Sequence, residues 1–157
     1  MNKEGLRMRS TMTTGVLEPL SVTDLTLADS TEDIRGLKVF DRSGSEFGKI
    51  DDVFIDPAER RARFVAVKSG DILGIGGQRY LLPVELLTFG GDHVQVNETA
   101  ERITQGPQWD GRELTPTDAG DTTTNGGAAP LILDAYEFYD VREPFWSPAY
   151  TQPMWKR

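Results

Sequence analysis

The sequence predicts an all-β domain, a small antiparallel barrel, with an irregular N-terminal arm before it and an aromatic-rich C-terminal tail after it. Three observations carry that expectation. Between residues 34 and 104, short runs of alternating apolar residues are broken by turn signals at intervals of roughly 8–12 residues. Over the same region no amphipathic helix about 15 residues long can be drawn. Beyond residue 104 the composition changes twice, first to Gly, Pro, Thr and Asp, then to aromatics.

Residues 1–31 are rich in Ser, Thr, Met and small residues with scattered Leu and Val, and are expected to form a flexible arm. The barrel region, residues 32–104, opens with IRGLKVFD, where Leu37 and Val39 alternate with Lys38, Phe40 and Arg42 before a turn at Ser43–Gly44. FGKIDDVFID follows with Phe47, Ile50, Val53 and Ile55; its alternation slips at Asp51–Asp52, which predicts a bulge or a sharp bend. Asp56–Pro57 opens the next turn. ARFVAVKS places Phe64, Ala66 and Lys68 on one face and Val65 and Val67 on the other, so its centre is apolar on both sides, as a central or barrel strand requires. RYLLPVELL resumes after a glycine cluster and is ended or kinked by Pro83. Gly90–Gly91–Asp92 predicts a tight turn, HVQVN a short strand, and TAERI a single helical turn capped by Thr99. Residues 105–130 read as a linker in which Trp109 and Leu114 are the large apolar residues expected to touch the barrel. The tail, residues 131–157, holds half of the chain's 14 aromatics; LILDAYEFYDV suits two helical turns, whereas the prolines of EPFWSPAYTQP forbid a regular helix.

The chemistry legible in these residues is sparse. In GDILGIGGQRYLLPVE, Gly74, Gly76 and Gly77 match the first half of a dinucleotide fingerprint, but Arg79 stands where the third glycine belongs. A proline-ended strand follows, so no helix N-terminus faces a pyrophosphate. The glycines are expected to let the chain turn, with Ile72, Leu73 and Ile75 forming an apolar loop tip. His93 is the only histidine and cannot alone build a histidine-based zinc site. Asp51, Asp52 and Asp56 lack the spacing of an EF-hand and are expected to cap turns or meet solvent. Cysteine is absent, and no Gly-x-Ser-x-Gly elbow occurs. No catalytic residue, cofactor or metal is expected, and the chain is read as no enzyme. A net charge of −8 repels nucleic-acid phosphates and anionic membranes, and the one basic cluster seen along the chain, Arg60, Arg61 and Arg63, has Glu59 beside it. Neither a signal-peptide core nor about 18 consecutive apolar residues is present, so the cytoplasm is the expected location.

Several of these residues together resemble a PRC-barrel domain. They are Gly36 and Val39, the Asp41–Gly44 turn, Gly48 and Ile50, Asp52–Val53, Asp56, the strand Phe64–Val67, then Pro83–Val84–Glu85, and Val94 and Val96. The resemblance covers roughly half the chain and implies a small all-β barrel that serves as a docking surface with no catalytic residues. The same kind of barrel forms the cytoplasmic part of the photosynthetic reaction-centre H subunit and the C-terminal half of a ribosome-maturation factor, and it also occurs alone. The function expected is therefore a non-enzymatic adaptor or scaffold that docks a protein partner or forms a homodimer. Its contacts are expected at Ile72, Leu73 and Ile75 of the loop and at Phe145, Trp146, Tyr150 and Trp155 of the tail. The alternatives are an accessory role in ribosome assembly or RNA metabolism, and assembly of a photosynthetic-type complex or small-molecule binding in the barrel mouth.

Overall fold

The computed structural model describes residues 17–70, 77–111, 114, 131–143 and 145. Seven strands form one sheet: β1 (Glu18–Pro19), β2 (Lys38–Phe40), β3 (Glu46–Ile55), β4 (Ala62–Ser69), β5 (Arg79–Pro83), β6 (Leu87–Phe89) and β7 (His93–Val96). Two short helices follow, α1 (Ala100–Gln105) and α2 (Leu131–Phe138). The strand order is β5-β4-β3-β2-β7-β6, with β1 added to β3 beside β2.

Chain connectivity forces this sheet to curl. Its two edges, β5 and β6, are consecutive in sequence and joined only by the 3₁₀ turn Val84–Leu86. Laid flat, the edges of six strands stand about 24 Å apart, at about 4.8 Å per strand. The four residue steps from Pro83 to Leu87 reach at most about 14 Å. The sheet therefore bends round until its edges meet at that corner, and the result is barrel-like.

Local sequence explains the strand ends and bends. The register of β3 against β4 shifts between Ile50 and Asp52, so the slip in hydrophobic alternation is a bulge. Gly44 (φ 92°) closes the β2–β3 turn and Gly91 (φ 99°) the β6–β7 turn, both in the left-handed region that favours glycine. β5 ends at Pro83, and the hydroxyl of Thr99 accepts the Arg102 backbone N–H to cap α1. Gly48 marks a close approach of two strands: a Cβ there would lie 2.0 Å from the Lys68 carbonyl oxygen.

One pair corrects the antiparallel expectation. β2 and β7 run parallel, with Lys38 opposite His93, Val39 opposite Val94 and Phe40 opposite Gln95. A parallel pair needs a long crossover. Here β3 to β6 supply it, a separation that no local turn signal reveals.

The sheet is packed on both faces. Inside the curl lie Val39, Phe47, Ile50, Val65, Val67, Tyr80, Leu82, Val94 and Val96, closed by Ile103 of α1 and by Tyr139. On the outer face, Phe54, Phe64, Ala66 and Leu81 are covered by Leu17, Leu114 and the apolar side of α2 (Leu131, Ile132, Ala135 and Tyr136). Both faces of β4 are thus apolar, as its sequence predicted, because a helix from beyond the barrel covers the second one. Leu17 and Leu114 form a bridge of their own, and Trp109 packs edge-on to Phe54 with ring centroids 4.9 Å apart. The segment around Trp109 also runs along the open edge of β5: Leu81 N–H donates to the Pro107 carbonyl and Trp109 N–H to the Arg79 carbonyl.

Candidate functional site

Most charged groups of the barrel that are buried are consumed by the fold. Glu32, fully buried, accepts from the Ala62 backbone N–H and from Arg61 Nε (2.8 and 2.7 Å) and so clamps the arm to the start of β4. Asp52 accepts from the Ser21 hydroxyl and backbone N–H. Asp56 accepts from the Glu59 N–H and from buried Arg63 (2.5 Å), whose guanidinium also lies 4.9 Å from the Phe145 ring centroid. Arg60 bonds to Thr26. The cluster Arg60, Arg61 and Arg63 therefore ties the arm and the β3–β4 turn together and presents no common cationic surface. Asp41 accepts from the hydroxyl and N–H of Ser43, the N–H of Ser45 and the N–H of Ala100, joining the β2–β3 turn to the first turn of α1. Burial pushes its carboxyl up, but these hydrogen bonds outweigh that and hold it below the usual carboxylate range. Among the described residues, no group of three or more His, Asp or Glu is placed to hold a metal ion.

A different set of charges is left over, and the sheet brings it together. Register places Arg79 of β5 opposite Lys68 of β4, Lys68 opposite Lys49 of β3, Lys49 opposite Lys38 of β2, and Lys38 opposite His93 of β7. Residues directly opposite across a ladder point to the same face. Five strands thus carry one row of basic side chains on the outer face, in a chain whose net charge is −8. Three of the chain's five lysines stand in it. Both ends of the row have a carboxylate beside them: Arg79 faces Asp51 at 3.6 Å and His93 Nδ1 faces Asp92 at 3.1 Å. Lys38, Lys49 and Lys68 are exposed, and no described carboxylate lies within salt-bridge distance of any of them.

The outer face is therefore divided. Toward Phe64 and Leu81 it is apolar and covered by α2; toward Lys49 and Lys68 it is cationic and, among the described residues, open. Arg79 marks the border, its guanidinium 4.8 Å from the Trp109 ring centroid. Two shallow grooves flank Lys49, which lines both. One, of about 450 Å³, runs past Ile50, Lys68 and the glycines 36 and 48; the other, of about 400 Å³, runs past Leu37, Lys38, Phe40 and His93. Phe40 and His93 meet edge-to-face with centroids 5.1 Å apart.

Of the contact residues expected from sequence, Ile72, Leu73, Ile75, Trp146, Tyr150 and Trp155 lie outside the described residues. Phe145 is half-buried; its backbone N–H donates to the Tyr136 hydroxyl, and its ring packs against the outer cluster. The cationic row is absent from the sequence reading because its members are 11 or more positions apart and only register unites them. The signal available was that Lys38, Lys49 and Lys68 each sit at the polar phase of a predicted strand.

A PRC-barrel domain family model matches residues 29–103 of the chain. No curated protein matches it.

Proposed function

Because residues 29–103 are a PRC-barrel domain, we propose that this chain is a non-enzymatic adaptor that docks a protein partner on the open cationic part of its sheet. The observation that carries the reading is the in-register row Lys38–Lys49–Lys68, exposed and with no described carboxylate in salt-bridge contact. Like charges placed directly opposite one another in a sheet destabilise it. A row kept at that cost, on a chain with an excess of acid, is supported best as a surface that meets an anion. The non-enzymatic part of the reading is supported by the buried carboxylates Glu32, Asp41, Asp52 and Asp56, each of which serves a structural hydrogen-bond set.

The test uses the full chain as bait in lysate of its source cells, beside the Lys49→Glu/Lys68→Glu variant. The expected result is a protein retained by the parent chain and lost by the variant, with both melting cooperatively. Retention of the same proteins by both would reject the face as the docking surface.

A further inference from the structure

We infer that the cationic row receives an acidic helical segment of the partner, with carboxylates on successive turns of one helix face; this rests on the docking-face reading above. Spacing comes first. Adjacent strands lie about 4.8 Å apart, so the three lysines issue from backbone positions at that repeat. Residues three or four apart on a helix have Cβ atoms about 5–6 Å apart. A helix laid across the strands therefore sets three carboxylates over Lys38, Lys49 and Lys68, and the flexible lysine stems take up the small mismatch.

The extent of the row fits a short segment. Asp51 pairs with Arg79 and Asp92 lies against His93, so the stretch of lysines with no described carboxylate in salt-bridge contact is about 10 Å across two strand spacings. That matches two turns of helix. The groove on the Lys38 side of Lys49 supplies the rest of the recognition: Leu37 and Phe40 line it, so apolar side chains flanking the carboxylates have apolar ground to cover.

A nucleic-acid strand fits less well. Its phosphates continue past the three lysines and meet Asp51, Glu46 and Asp92 at the groove walls. The net charge of −8 acts on every phosphate beyond the footprint. Single-strand binding also needs aromatic platforms for the bases; of the described aromatics beside the row, Phe40 has His93 against it and Trp109 has the Arg79 guanidinium over its ring.

The experiment is fluorescence anisotropy of the full chain at low salt with three labelled probes. The first is a helical peptide with Glu at i, i+4 and i+7 and leucines beside them. The second has the same composition with the glutamates scrambled round the helix. The third is oligouridylate of similar length. The patterned peptide is expected to bind at least about fivefold more tightly than the scrambled one. Lys49→Gln should weaken it about threefold, and Lys38→Gln/Lys49→Gln/Lys68→Gln by more than about tenfold. The glutamine variants relieve like-charge repulsion, so their melting temperatures should equal or exceed the parent's. Equal binding of the two peptides, or indifference to the triple variant, overturns the inference. Lysine-dependent binding of oligouridylate in preference to the patterned peptide overturns it in favour of a phosphate backbone, and the protein-docking reading falls with it. If no probe binds while lysate capture still depends on Lys49 and Lys68, the acidic-helix inference fails and the docking reading stands.

Discussion

Asp41 ties the β2–β3 turn to the start of α1 through its side chain alone. Its two carboxylate oxygens collect donors from Ser43, Ser45 and Ala100, residues on both sides of a 55-residue excursion of the chain. Asp41→Asn keeps the shape but turns one acceptor into a donor facing N–H groups, and should cost about 2 kcal/mol at neutral pH. The pH dependence has a definite sign. The carboxyl is held below its ordinary range in the folded state. Its stabilisation is therefore fully present above about pH 4, the unfolded value, and is lost as pH falls through the lowered folded value. Urea unfolding of parent and Asp41→Asn chains should show a gap at pH 7 that narrows progressively below pH 4. A constant gap would mean that the carboxylate charge contributes nothing. The Asp-x-x-Gly turn was legible in the sequence because Gly44 follows Asp41 at turn spacing; the link to Ala100 was not, since it depends on how α1 returns to the β2–β3 corner.

Among elements, α2 and β4 depend on one another. Ile132 is fully buried against the outer cluster, although it lies 63 residues beyond the end of β4. Ile132→Ala should destabilise the whole domain by about 3 kcal/mol, seen as a single cooperative loss in thermal unfolding. If the variant merely frays while the barrel melts unchanged, the helix is an accessory. The two-sided apolar pattern of β4 stated in advance that something must cover its outer face, and LILDAYEFYDV read as two helical turns. That these two facts answer each other could not be read, because a linker composition separates them. The strands, the bulge at Asp51, the Thr99 cap and the stop at Pro83 were legible because each is set by local chemistry. The parallel β2–β7 pair and the lysine row were not. Both are consequences of register between strands distant in sequence, and a one-residue slip in any ladder would send the lysines to opposite faces. Removing everything beyond Pro130 would strip α2 from Phe64, Ala66 and Leu81, so tests of binding belong to point variants of the full chain.

At the scale of the whole molecule, the fold sorts its charge. Arginines near the arm and the β3–β4 turn are spent on internal carboxylates, among them Glu32 and Asp56. Lysines across the sheet are left facing outward. Composition averages the two into a net −8 and suggests no cationic surface at all. Charge count bounds solubility and long-range repulsion, whereas the docking chemistry is decided by which charges remain unpaired and whether register aligns them. The most direct measurement is zero-length carbodiimide crosslinking of the full chain to its captured partner, with the joined peptides read by mass spectrometry. The chain has five lysines, Lys3, Lys38, Lys49, Lys68 and Lys156. The account predicts crosslinks from Lys38, Lys49 and Lys68 to partner carboxylates. Crosslinks confined to Lys3 and Lys156 would contradict it and move the working surface to the ends of the chain.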